Sequence, residues 1–130
     1  MDQKIIDQYM DELLFAQQGE LDAVLMYNEL AKKVKDEKDA AAFRQLAAEE
    51  GRHAAVFHNY TKKTLKPKKT KAIFVPMMYS LVGRKVLYPI IAKAEYDAAE
   101  KYIQLVSIFP DVESVMNDET RHGDTVKGLL

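Results

Sequence analysis

Glu49-Glu50-Gly51-Arg52-His53 and Asp118-Glu119-Thr120-Arg121-His122 are two copies of one pattern, an acidic residue followed by Glu-x-Arg-His. Together they hold two of the three histidines in the chain. A helix carries positions i and i+3 on one face. Each copy therefore aims one carboxylate and one imidazole at a single point. Upstream of each copy stands a second echo: Tyr27 follows Glu20 by seven residues, and Tyr102 follows Glu95 by seven. The order Glu-x6-Tyr, then Glu-x-x-His, runs twice through the 130 residues. A duplication of that kind predicts two similar halves that face each other.

Working outward, the apolar spacing predicts four long helices, over about 2–35, 39–63, 87–108 and 111–126. The first carries Leu13, Gln17, Glu20, Val24, Tyr27 and Ala31 on one stripe. The second carries Phe43, Leu46, Glu50, His53, Phe57 and Tyr60, and the third Ile91, Glu95, Ala98, Tyr102 and Leu105. The fourth carries Val112, Val115, Glu119, His122 and Val126, with Asp111 as its expected N-cap. Each stripe has a carboxylate at mid-length, where an apolar residue belongs. A carboxylate among core positions is costly unless something neutralises it. Asp36-Glu37-Lys38-Asp39 is expected as a polar turn, residues 64–86 as a loop with a short helix near 75–83. Pro89 fits the third helix only near its first turn. Short connections make helices 1–2 and 3–4 antiparallel hairpins, and the 2–3 connection is long enough to cross the bundle. The expected fold is all-α: one domain over 1–130, an antiparallel four-helix bundle of two similar hairpins with a long 2–3 crossover.

Composition narrows the chemistry. The chain is 48% hydrophobic and 30% charged, which suits a helical globular protein with a real core. Its net charge of −1 gives no bulk attraction for nucleic acid. The absence of cysteine excludes disulfides, thiolate zinc sites, iron–sulfur centres and thiol nucleophiles together. Asp2, Asp7, Asp11 and Glu12 break up the first residues, so they do not read as a signal peptide. No apolar run reaches the roughly 20 residues of a membrane span. The expected location is cytoplasmic.

Glu20, Glu50, His53, Glu95, Glu119 and His122 form a set of four carboxylates and two imidazoles. Oxygen donors with imidazole suit iron, manganese or zinc. Charge sets the number of ions: four carboxylates balance two divalent cations, whereas one cation would leave a buried net charge. This ligand set is the one found in ferritin-like di-iron and di-manganese bundles.

Gly19-Glu20-Leu21-Asp22-Ala23-Val24-Leu25-Met26-Tyr27, followed by Ala48-Glu49-Glu50-Gly51-Arg52-His53-Ala54, resembles the di-iron domain of rubrerythrins in the ferritin-like superfamily. The resemblance implies a ferritin-like bundle with two irons that reacts with peroxide or oxygen, in a dimer or larger homo-oligomer. It implies that Glu50 and Glu119 bridge the irons, that Glu20 and Glu95 are terminal ligands, and that His53 and His122 serve one iron each. Two departures stand out. Typical rubrerythrins add a rubredoxin-like centre held by four cysteines, so here electrons must come from a separate donor. The family also places a further glutamate, which helps one iron shift during peroxide reduction, where this chain has Ala98. That loss moves the pattern toward the plainer ferritins and oxidases.

Other residues are read more blandly. Tyr27 and Tyr102 are expected to hydrogen-bond the ligating carboxylates from behind. Glu49 and Asp118 are expected on the outer face, with contact to a histidine from behind as the alternative, Arg52 and Arg121 in surface salt bridges, and His58 at the surface. Gly51 lies inside a helix at a cost of roughly 1 kcal/mol against Ala. Residues 62–71, KKTLKPKKTK, carry six lysines and are expected as a solvated crossover. The apolar stretch after them is expected in a dimer contact rather than on a membrane surface. Besides a peroxide- or oxygen-reducing enzyme, two alternatives remain: a ferroxidase or iron store, and a structural bundle that binds metal adventitiously.

Overall fold

The computed structural model describes residues 1–130 as six helices and no strands. They are α1 (Gln3–Gln8), α2 (Met10–Lys33), α3 (Glu37–Thr61), α4 (Thr70–Val82), α5 (Arg84–Val106) and α6 (Val112–Gly128). The fold is an all-α, ferritin-like bundle. α2 packs on α3 and α5 on α6, as the two hairpins.

Several boundaries differ from the sequence expectation, each for a local reason. The first helix is not continuous: Tyr9, at φ −106° and ψ 13°, separates α1 from α2. The ring of Tyr9 packs edge-on against Phe109, 5.8 Å between centroids. α3 begins at Glu37 because Asp36, not Asp39, caps it, accepting from the backbone N–H of Lys38 and Asp39. Asp39 is instead buried and accepts from the Tyr88 hydroxyl at 2.7 Å and from Arg84 at 3.4 Å. α3 stops two residues early because Lys62 turns left-handed, at φ 57°. Asp111 does not cap α6 through its side chain, which accepts from the Tyr60 hydroxyl.

The expected short helix near 75–83 is a full helix, α4, with Pro76 at its seventh position. Pro89 lies at the sixth position of α5, beyond the first turn. Pro89 frees the carbonyl of Lys85, an exposed residue, whereas Pro76 leaves that of Ala72, a buried one, without its helical donor. The connection climbs along α2. Gln17 and Gln18 donate to the carbonyls of Lys63 and Lys66, Asp22 accepts from the Lys68 N–H, and the Tyr79 hydroxyl accepts from the Lys35 N–H. α4 thus runs beside the C-terminal half of α2.

The core is split in two. One apolar cluster includes Tyr27, Leu30, Phe43, Leu46, Tyr88 and Ile91; the other includes Leu13, Phe57, Leu105, Phe109, Val112 and Val115. Between them lies a layer of buried Glu and His side chains. Where α5 meets α6, helix contact depends on Gly123. A Cβ there would sit 2.5 Å from the Tyr96 ring. No helix is long and apolar enough to cross a membrane.

Candidate metal centre

Each helix of the bundle delivers its mid-stripe polar residues to the same layer. Glu20 comes from α2, Glu50 and His53 from α3, Glu95 from α5, Glu119 and His122 from α6; every one is at most 6% exposed. The i, i+3 pairing works as the spacing predicts. His53 Nδ1 lies 3.4 Å from Glu50 Oε1, and His122 Nδ1 lies 3.4 Å from Glu119 Oε1.

Across the bundle each imidazole has one closer carboxylate and one slightly farther. His53 Nδ1 is 3.0 Å from Glu119 Oε1 and 3.5 Å from Glu20 Oε2. His122 Nδ1 is 2.9 Å from Glu50 Oε1 and 3.6 Å from Glu95 Oε2. These atoms fall into two overlapping tetrads. One joins Glu20, Glu50, His53 and Glu119; the other joins Glu50, Glu95, Glu119 and His122. Glu50 and Glu119 belong to both.

One atom of each residue is left over. Glu20 Oε2, Glu50 Oε1, His53 Nδ1, Glu95 Oε2, Glu119 Oε1 and His122 Nδ1 are buried and have no hydrogen-bond partner. Buried polar atoms without partners are costly, and six converging on one spot call for a shared partner.

The outward atoms, by contrast, are held. Tyr102 donates to Glu20 Oε1 at 2.8 Å, and Tyr27 donates to Glu95 Oε1. Both bonds run between the two hairpins, so each hairpin's tyrosine orients the other's carboxylate. The two tyrosine bonds also show that α2 and α5 are antiparallel. Burial, then the nearby carboxylates, raise both tyrosine pKa values well above 10, so the hydroxyls stay protonated donors.

The histidines are crossed in the same way. His53 Nε2 meets Asp118 Oδ2 at 2.8 Å, and His122 Nε2 meets Glu49 Oε1 at 2.9 Å. An ionised carboxylate only accepts, so each Nε2 carries the proton and each Nδ1 is the nitrogen turned inward. Glu49 is therefore not an outer-face residue: it is 4% exposed, and Asp118 is half-buried. Arg121 bridges Glu49 and Asp118, and Gln45 also donates to Glu49. The signal was present in the sequence as the acidic residue preceding each Glu-x-x-His. Its target, the histidine of the other copy, was not.

Arg52 stays exposed and reaches Glu49 only at 3.9 Å. His58 is exposed. A Cβ on Gly51 would meet Val24 at an ordinary 3.9 Å, so that glycine is tolerated rather than required.

Without cations the layer is neutralised by protons. Burial alone would lower the histidine pKa values. The carboxylates around His53 nevertheless raise it far above its usual range, and those around His122 raise it to about 12. Burial and the charge of Glu20 raise Glu50 well above the usual carboxyl range, and burial raises Glu95 to about 7. Burial would raise Glu119 as well, but the adjacent imidazoles of His122 and His53 hold it near 2.

A sequence model of the rubrerythrin family matches residues 11–130. The chain belongs to the rubrerythrin family. No curated protein and no solved structure gives a match. Rubrerythrin domains are ferritin-like di-iron domains, and the donor set here, four carboxylates and two imidazoles, fits a pair of hard or borderline cations. These 130 residues contain no cysteine and so build no rubredoxin-type centre themselves. Ala98, where the resemblance places a further glutamate of rubrerythrins, is half-buried beside a groove that leads down to Glu20 and Glu95.

Proposed function

We propose that this rubrerythrin-family chain is a di-iron carboxylate oxidoreductase that reduces peroxide or oxygen. The observation that carries the reading is the set of six buried, unpartnered donor atoms arranged as two tetrads with Glu50 and Glu119 in common. Glu20 and His53 would hold one ion, Glu95 and His122 the other, with Glu50 and Glu119 between them. When bound, a pair of ferrous ions supplies the two electrons that turn one hydrogen peroxide and two protons into two waters. Manganese or zinc would fit the same donors without that redox role.

The protein's own contribution is position and charge. Tyr27 and Tyr102 fix the two terminal carboxylates by binding their outer oxygens. Glu49 and Asp118 fix both imidazoles and keep the protons on Nε2. Glu50 and Glu95, raised by burial, bind protons readily when no cation is near. With no cysteine centre in the chain, the electrons return from a separate donor.

Ala98 favours a second reading, a ferroxidase, because the carboxylate that serves peroxide reduction in the family is missing there. An anaerobic ferrous titration followed by mixing with peroxide, and separately with oxygen, distinguishes the two. Saturation at two irons per chain with the faster optical change for peroxide supports the peroxidase. A faster change with oxygen, or iron uptake far beyond two per chain, supports the ferroxidase. No binding at stoichiometric iron refutes both.

A further inference from the structure

Charge is divided unevenly along the chain. Residues 62–94 hold nine of the 19 Lys and Arg and none of the 20 Asp and Glu. The rest of the chain therefore sets ten basic residues against all 20 acidic ones, although the whole is nearly neutral.

The basic segment is also the least covered part of the fold. α4 buries only Ala72. Ile73, Phe74, Met77 and Leu81 share one face of α4 and are 48–72% exposed. Val86 and Ile90, one turn apart at the start of α5, are exposed as well. Phe74 and Ile90 border the same opening, so the two faces are neighbours. Exposed apolar residues standing singly need no explanation, but six on adjoining faces mark an interaction surface.

Cations bracket that surface. All six lysines of residues 62–71 are exposed, and none forms a salt bridge. At the far end of α4, Lys33, Lys35 and Arg84 surround a hollow with Tyr79 and Ser80. Arg84 is tied to Asp39, whereas Lys33, Lys35 and the exposed Lys85 are unpaired. The neighbouring acids are engaged. Asp22 accepts from Gln18 and from the Lys68 N–H, Asp36 caps α3, Glu37 pairs with Arg44 and Asp97 with Lys93.

We propose that the α4–α5 face lies flat on an anionic lipid bilayer, its apolar side chains between the head groups and its lysines against lipid phosphates. At 13 residues α4 is too short to span a bilayer and suits a position in the interface. The side-chain types select lipid over protein. Protein interfaces are enriched in Tyr, Trp and Arg and depleted in Lys, whereas here aliphatic residues, Met and one Phe stand between lysines. A second copy of the chain, the contact expected from the sequence, would bring two positive faces together. The acidic remainder sets the orientation, because an anionic surface attracts residues 62–94 and repels the rest. Membrane binding does not depend on the redox reading, and its failure would leave metal counting untouched.

The chain has no tryptophan, so Phe74→Trp places a single emission probe on the face. Ala55→Trp, at an exposed position of α3, places one away from it. Each full-length, zinc-loaded protein is titrated with vesicles of phosphatidylcholine alone and of phosphatidylcholine mixed with phosphatidylglycerol, and flotation counts the bound protein. Binding to the mixed vesicles should be at least about tenfold tighter and should weaken with added salt. Emission should shift to the blue for Phe74→Trp and stay unchanged for Ala55→Trp. Changing Lys66, Lys68, Lys69 and Lys71 together to Gln should weaken binding to the mixed vesicles at least about a hundredfold. Ile73→Ser with Leu81→Ser should weaken it about tenfold; helix and zinc content should be retained in both variants. The proposal is overturned if the protein does not float with mixed vesicles, if either set of substitutions leaves affinity unchanged, or if both probes shift equally. Emission from Phe74→Trp that is already blue without lipid, in a protein that sediments as a dimer, would give the face to a second copy and equally overturn it.

Discussion

Loading the centre should drive out the protons that stand in for cations in the metal-free layer. In the metal-free protein both imidazoles are protonated at neutral pH, held so by the carboxylates around them. A nitrogen cannot carry a proton and bind a cation together, so Nδ1 of His53 and of His122 must each release one. Glu50, raised well above the usual range, releases another. Glu95, at about 7, is half protonated at pH 7. Glu119, near 2, has none to give. Two divalent ions should therefore displace more than two protons per chain at pH 7, the two from the imidazoles and a share from the carboxyls. The number should rise below pH 7 and fall above it, as Glu95 titrates. By linkage, the combined affinity for two ions should climb by more than about two powers of ten per pH unit. Anaerobic addition of zinc or manganese to weakly buffered protein containing an indicator dye counts the protons without redox chemistry. Release of about one proton or fewer per pair of ions would mean that the histidines are neutral before binding. The account of how protons stand in for cations would then be wrong.

Three further outcomes are expected. Glu49→Gln and Asp118→Asn each loosen a histidine from behind and should lower metal affinity by about 10–100-fold, with helix content retained; unchanged affinity by competitive chelation would remove them from the site. Gly123→Ala should cost about 1–3 kcal/mol through its clash with Tyr96, and Tyr96→Ala in the same protein should recover part of it; a melting temperature unmoved by Gly123→Ala would refute the close approach. The metal-free protein should be most stable near pH 5 and lose stability toward pH 8. His53, His122, Glu50 and Glu95 all have folded pKa values above their unfolded ones, so the stability they lend is lost as pH rises. Glu49 and Glu119, held near 2, contribute in the opposite sense and lose theirs below about pH 4.5. A metal-free melting temperature that rises from pH 5 to pH 8 would contradict this.

The sequence disclosed the centre more fully than the frame around it. Glu20, Glu50, His53, Glu95, Glu119 and His122 could be singled out because carboxylates on apolar stripes break the helical pattern at matching places in both halves. Tyr27 and Tyr102 could be named as their neighbours because they share those stripes. The crossing of partners could not be read, since spacing along one helix says nothing about which residue of another helix it meets. Glu49 illustrates the limit: one position before Glu50, it lies off the stripe, yet it is buried because α6 brings His122 against it. The extent of α4 was hidden for a related reason. Pro76 reads as a breaker, yet the helix runs on through it from Thr70 to Val82.

The duplicated motif also explains why the centre and the groove occur together. Each hairpin closes on itself through apolar contacts, whereas the hairpins meet on the α2–α5 side mainly through Tyr27 to Glu95 and Tyr102 to Glu20. A tyrosine reaching across to a carboxylate holds two helices farther apart than interdigitated leucines would. Gly19, Ala23, Ala94 and Ala98 then leave the space above those bridges unfilled. Larger residues there would seal the bundle and shut the carboxylates away from any reactant. The spacing that brings Glu20 and Glu95 to the layer of Glu50 and Glu119 is therefore the same spacing that opens a path to them. The convergence of these carboxylates and the access to them follow from one arrangement, made twice in the sequence.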